Sequence, residues 1–212
     1  VSMKKALANS INTVSARLID EVGAPAVVEM AKNLGVSSDI PNRPAIALGA
    51  VEITVEEMVA AFSTFANEGV YIKPQLITKI EDKNGVVIYQ GVEESHDVVN
   101  KDVAYSIIKL MEGVTESGTG SRLRWAASAP SNFLTGVPYN IKGPVAGKTG
   151  TSQNNSDGWF IGMVPNLAAG VWVGNEDRSA HFENTSMGQG ATTALPIYGI
   201  FMRKCLADTS LN

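Results

Sequence analysis

The chain has a single cysteine, Cys205, in 212 residues, so no disulfide can form within it. Unbridged chains occur in reducing and oxidising compartments alike, and cysteine usage leaves the compartment open. Histidine is almost as scarce. His96 and His181 lie far apart, neither has a companion spaced as in H-x-x-E-H, and no metal or other cofactor is expected. No run of roughly 18 apolar residues occurs, and the opening VSMKKALANS lacks the apolar centre of a signal peptide. The chain enters helical periodicity at once, as expected of a piece of something longer, in which case an address and anchor would lie upstream. Charge is also low: 17 Lys and Arg against 21 Asp and Glu give a net charge of −4, without the cationic field that a nucleic-acid partner requires. The stretch GPVAGKTGTS fails as a phosphate loop, because the Walker spacing puts a glycine where Lys142 stands and Gly143 comes one residue too late.

What is present is a chain 44% hydrophobic, enough for one sizeable core, and one domain or part of one is expected. Leu7, Ile11, Val14 and Leu18 recur at helical spacing, but Asn9-Ser10-Ile11-Asn12 offers side-chain bonds that compete with a helix. Two short helices with a break near Ser10 follow. Gly23-Ala24-Pro25 ends one helix and begins another that runs to about Leu34 and stops at Gly35. Residues 36 to 50 read as loop. Thr54 with Glu57 three residues later is a capping box for a helix burying Val55, Met58, Val59, Phe62 and Phe65, with Gly69 as its stop.

Residues 75 to 81 and 86 to 90 form a hairpin around Lys83-Asn84-Gly85. Asn100 caps a helix to about Val114, broken by Glu116-Ser117-Gly118-Thr119-Gly120. Residues 121 to 140 are mostly loop, and Arg122-Leu123-Arg124-Trp125 is either an anion cluster or solvated surface. Strands at 142 to 152, 158 to 164 and 168 to 175 have connections short enough for antiparallel pairing. A final helix near 192 to 207 carries Pro196 in its first turns. Helices, then an antiparallel sheet, then a closing helix make an α+β arrangement.

In Lys148-Thr149-Gly150-Thr151, a cation and two hydroxyls surround a residue with no side chain. On a strand, Lys148 and Gly150 face one way and Thr149 and Thr151 the other, and Gly150 admits a close backbone. An edge strand there could take an extended peptide as one more strand, with Lys148 and the hydroxyls meeting a carboxylate. A turn with a surface lysine is the plainer alternative. For Ser10 and Asn12 it is helix capping. Trp159 and Trp172 are expected in the sheet's core or at its junction with the last helix.

K-T-G-T-S at 148 to 152 and S-I-N at 10 to 12 resemble the third and second motifs of the penicillin-binding transpeptidases. The similarity runs along nearly the whole chain: KALANSINTVSARL, ALGAVEITVEEMVAAFSTFANEGVYIKP, AGKTGTSQNNSDGWFIGMVPNLAAGVWVGNED and ALPIYGIFM look like the bifunctional, class A penicillin-binding proteins. The resemblance implies an antiparallel sheet flanked by helices with a helical lobe, the fold shared with β-lactamases, and serine acyl transfer from D-Ala-D-Ala stem peptides of peptidoglycan. β-Lactam antibiotics would acylate such a protein as donor mimics. By resemblance, Ser10 belongs to a proton relay and Lys148 supplies positive potential beside it. Asn12 holds the substrate's peptide group. Thr149 and Thr151, flanking Gly150, bind the terminal carboxylate, and the Thr151 amide gives half of an oxyanion hole. Loops 118 to 120 and 154 to 157 resemble those around the family's groove.

The family's first motif, Ser-x-x-Lys on a buried helix, is the exception. Ser2-Met3-Lys4-Lys5 has the letters but lies only eight residues before Ser10, and it is read as a coincidence. Residues 1 to 212 are then expected to be a partial transpeptidase domain, incomplete at the N-terminus and lacking the nucleophile's helix. Such a chain is expected to be inert alone and to need the upstream part of its own protein as a partner. The resemblance implies the extracytoplasmic face of a bacterial inner membrane, with an upstream anchor. Two rival readings stand: a β-lactamase or D,D-carboxypeptidase relative, and a non-catalytic peptide-binding module.

Overall fold

Helix α1 (Met3–Ala8) and helix α2 (Asn12–Val22) are separated where the polar run predicts a break. The turn between them has a definite geometry. The Ser10 amide donates to Leu7 O at 3.2 Å and the Ile11 amide to Ala6 O at 3.0 Å, which is a Schellman ending with Ser10 in the left-handed position usually held by glycine. Helix α3 (Ala24–Asn33) follows with Pro25 in its first turn. The computed structural model describes residues 1–126 and 138–210, so part of the expected 121 to 140 loop lies outside the described residues.

Helix α4 (Val55–Ala66) opens with the expected capping box. Glu57 does more than cap: one carboxylate oxygen accepts from the Ser37 and Ser38 amides at 2.7 and 2.8 Å, and the other from the Ser38 hydroxyl at 2.6 Å. Burial opposes its charge, but the bonds from Ser38, Thr54 and Ser37 win and hold its carboxyl well below the usual carboxylate range. The 36 to 50 segment is thereby pinned to α4, and where its sequence predicts only loop it contains a 3-10 turn (Pro44–Leu48).

Three small antiparallel sheets follow. Strand β1 (Val70–Ile72) pairs with β4 (Ser95–Asp97), neither anticipated; β2 (Lys79–Glu81) pairs with β3 (Val87–Gln90) in the expected hairpin. Helix α5 (Lys101–Glu116) is capped by Asn100 Oδ1, which accepts from the Val103 amide at 2.9 Å. The third sheet runs in the order β5 (Ala146–Thr151), β6 (Gly158–Val164), β7 (Leu167–Val173), all antiparallel. A short helix α6 (Thr185–Gly188) precedes α7 (Ala194–Ala207).

Alternate residues of this sheet go to different helices, as a period of two requires. Ala146 and Met163 pack with Met111 of α5 and with Phe62 and Phe65 of α4. Val145, Phe160 and Val164 join Leu195, Tyr198 and Met202 of α7, the last three with no exposure. The α+β expectation holds: the sheet lies between α4 and α5 on one face and α7 on the other, with β5 at an edge. Two local expectations do not. Trp172 is 40% exposed and Trp159 is only half-buried beside it, a cross-strand pair with ring centroids 6.4 Å apart outside the core. Arg122 and Arg124 are half-buried and direct donors at backbone carbonyls rather than lying free on the surface. Arg122 donates to Ala191 O at 3.1 Å, Arg124 to Ile141 O at 3.0 Å and to Gly143 O, and Leu123 between them is fully buried.

Candidate active site

Ser10 and Lys148 are 138 residues apart in sequence and touch in space: Lys148 Nζ donates to Ser10 Oγ and to the Thr149 carbonyl, the latter at 2.8 Å. Each arrives by local rules. Ser10 occupies the helix-ending turn at φ 51°, which costs a residue with a side chain about 1–2 kcal/mol, and backbone held in such a conformation tends to occur where geometry serves function. Lys148 leaves the α5 side of β5, the side of Ala146, and its ammonium reaches the turn that follows α1. Burial pushes its ammonium down to about 8. Near neutral pH the group is therefore mostly charged but gives up its proton far more readily than a surface lysine.

The opposite face of β5 holds the hydroxyls. Thr149 Oγ1 lies 2.6 Å from Thr119 Oγ1, and Thr151 Oγ1 accepts from the Gly190 amide at 3.1 Å. Alternation along the strand is thus realised, with Lys148 on one side and both threonines on the other. Gly150 meets a constraint the sequence did not suggest: a Cβ there would lie 3.0 Å from Trp159 Cβ, its cross-strand partner. Gly190 presses on the same strand, since a Cβ on it would sit 2.4 Å from Gly150 O and 2.3 Å from Trp159 O.

Asn12 stands exposed in the first turn of α2, two residues past Ser10, with no side-chain hydrogen bond among the described residues. The N-cap of α2 is Ile11, without a side-chain bond, so neither Ser10 nor Asn12 caps the start of α2, and Ser10 ends α1 through its backbone alone. Ser2, by contrast, does: its Oγ accepts from the Lys5 amide at 3.4 Å. A second Ser-x-x-Lys spelling, Ser106-Ile107-Ile108-Lys109, lies on α5, where Ser106 donates to Asp102 O at 2.8 Å and Lys109 to Glu112 at 2.8 Å. Neither serine is bonded to Lys148.

Beyond β5 the chain turns through Asn154 and Asn155, both left-handed at φ 62° and 56°. There Asp157 is buried, accepting from Trp172 Nε1 at 3.0 Å and from the Ser156 hydroxyl at 3.1 Å. Burial raises its pKa, but bonds from Ser152, Trp172 and Ser156, with Arg178 nearby, hold it below the ordinary aspartate value. Sequence reasoning named the 118 to 120 and 154 to 157 loops without assigning Thr119, Asp157 or Gly190 any part. Gly118 and Gly120 around Thr119 were a signal, since paired glycines mark a backbone threading a tight space. Nothing in the sequence marks Gly190.

A helical lobe thus stands against the edge of a helix-covered antiparallel sheet, and the half-buried Lys148 bridges the two. The chain belongs to the penicillin-binding protein transpeptidase domain family, whose model matches residues 1–194. It is 35% identical over 203 residues to penicillin-binding protein 1A of Aquifex aeolicus, covering 96% of this chain and 25% of that protein. It is 31% identical to penicillin-binding protein 1A of Clostridium acetobutylicum, covering 100% and 24%. The chain thus spans about a quarter of the length of these curated relatives. Among solved structures, penicillin-binding protein 1A from Haemophilus influenzae matches with a TM-score of 0.82 at 22% identity over 97% of this chain and 34% of that one, a likeness of fold. The PonA1 protein from Mycobacterium tuberculosis, solved in complex with penicillin V, matches with a TM-score of 0.77 at 26% identity over 99% and 57%.

Proposed function

We propose that residues 1–212 form one wall of the acyl-transfer site of a peptidoglycan D,D-transpeptidase, as a partial transpeptidase domain of a longer protein. The observation that carries this reading is the contact of Lys148 Nζ with Ser10 Oγ between lobe and sheet edge. In the reaction, a serine hydroxyl supplied by another segment of the protein attacks the penultimate D-Ala carbonyl. The amide bond breaks, the terminal D-Ala leaves as an amine that takes up a proton, and an acceptor amine then displaces the serine from the ester. Ser10 and Lys148 pass the proton, and the lowered proton affinity of Lys148 suits that exchange. Asn12 holds the donor's peptide group, Thr149 and Thr151 bind the terminal carboxylate, Gly150 lets the donor backbone approach the β5 edge, and the Thr151 amide faces the developing oxyanion.

The remainder of the protein is the required partner. Strand β7 is a seven-residue edge without charge or proline, LAAGVWV, unpaired on its outer side among the described residues, and such an edge invites another strand. The protein would act on stem peptides and take β-lactams at the extracytoplasmic face of a bacterial inner membrane, held by an upstream anchor. No helix of the described residues is long and apolar enough to cross a membrane.

Labelling with a fluorescent penicillin is the test. The full-length protein should be labelled at a serine outside residues 1–212 and lose the label only slowly, and residues 1–212 alone should stay unlabelled. Rapid loss of label by hydrolysis would make the protein a β-lactamase relative. Absence of labelling in the full-length protein would leave only a peptide-binding role.

A further inference from the structure

Two threonines on one face of β5 are each approached from behind by a single hydrogen-bonding group. For Thr151 that group is the Gly190 amide at 3.1 Å. An amide can only donate, so it satisfies the Thr151 oxygen as acceptor and leaves the Thr151 proton to point elsewhere. For Thr149 the group is the Thr119 hydroxyl at 2.6 Å, which can donate or accept. Thr119 Oγ1 has no other hydrogen-bond partner among the described residues. The pair therefore has two states. In one, Thr119 donates and the Thr149 proton is free; in the other, Thr149 donates to Thr119 and presents only lone pairs. A carboxylate accepts and never donates, so it selects the first state and is repelled by the second.

From this geometry we infer that Thr119 is a positioning residue for anion recognition: it donates to Thr149 and so turns the Thr149 hydroxyl proton toward the carboxylate of the donor. The inference rests on the acyl-transfer reading and extends it to a residue outside the Lys-Thr-Gly-Thr strand. Thr119 is itself fixed. Its amide donates to Ala8 O at 3.0 Å, two residues before Ser10, so one residue ties the Ser10 turn to the hydroxyl side of β5. Gly118 allows that approach, since a Cβ there would lie 2.2 Å from Ala8 O.

The test compares acylation of the full-length protein by benzylpenicillin and by its methyl ester, which lacks the charge that Thr149 would bind. Thr119→Val should lower the acid-to-ester ratio of second-order acylation rates by about tenfold, the size expected when one supporting bond to a charged site is lost. Thr119→Ser keeps the hydroxyl and should restore the ratio, which separates a hydroxyl function from packing or misfolding. In a Thr149→Val background, Thr119→Val should change the ratio no further. Equal losses with acid and ester, or a Thr119→Ser variant as defective as Thr119→Val, would overturn the assignment while leaving the acyl-transfer reading intact. A wild-type protein that neither compound acylates would remove both together.

Discussion

The β2–β3 hairpin and the β5 edge are both short strands with an open side, and they are held in opposite ways. The hairpin is closed by its own turn: Asp82 Oδ1 accepts from the Asn84 and Val86 amides at 2.8 and 2.9 Å, and Gly85 takes φ 82°. All of its strand residues are exposed, Ile88 by 69%. The β5 edge takes its side-chain contacts from three distant segments: the Ser10 turn, Thr119, and Gly190. A segment closed by neighbours in sequence is expected to tolerate change, whereas one assembled from distant parts registers small displacements.

The contrast can be broken most forcefully at Lys148. Lys148→Ala in the full-length protein should lower penicillin acylation on the order of a thousandfold, the scale of losing a group that stabilises charge at a reacting centre. Substitutions in the hairpin should leave the acylation rate unchanged. A Lys148→Ala protein labelled at the wild-type rate would remove β5 from the chemistry.

Gly190→Ala comes next. Its Cβ would meet two backbone oxygens at 2.3 and 2.4 Å, so β5 or the loop must move, at roughly 2–4 kcal/mol. Urea unfolding measures that cost directly. A shift below about 0.5 kcal/mol would mean that the loop yields freely and does not press on the strand.

Titration sharpens the comparison from another side. In the folded chain Lys148 has a pKa of about 8 against the ordinary 10.5, so below pH 8 the fold carries the cost of a desolvated charge. Between pH 8 and 10.5 the unfolded chain holds a proton that the folded chain has released, and stability rises through that window. Lys148→Met should flatten the rise. Glu57 behaves oppositely: its lowered pKa contributes stability above the ordinary carboxylate range that is lost as pH falls through and below it, and Glu57→Gln should blunt that acid loss.

The smallest effect belongs to the hairpin. Gly85→Ala meets nothing within 4 Å, so only its left-handed backbone is taxed, at about 1 kcal/mol, with acylation unaltered. A loss of activity there would show that the hairpin communicates with the site.

Legibility followed the same division. The capping box at Thr54 and Glu57, the Asn100 cap, the Lys83-Asn84-Gly85 turn and the break at Ser10 are short-range bonds, and the sequence announces them. The β1–β4 pair was missed because three-residue strands joined across more than twenty residues carry no periodic signal. Arg122 and Arg124 look solvated in sequence because only the fold brings their carbonyl partners, Ala191, Ile141 and Gly143, over them. Trp159 and Trp172 are expected in the sheet's core or at its junction with the last helix, and they sit in neither. Their register puts them opposite one another, with Trp172 held at the surface by Asp157.

By itself the sequence determined the helical breaks, the hairpin, the antiparallel sheet and its Lys-Thr-Gly-Thr edge, because each depends on residues within a few positions or on a repeat of two or 3.6. The meeting of Lys148 with Ser10 was implied by the motif resemblance and by no local preference, and only the tertiary structure decided that Thr119 would stand beside Thr149 and that Gly190 would close over Gly150. Those contacts join segments dozens of residues apart, and no local preference encodes a distance that burial of the shared core alone sets.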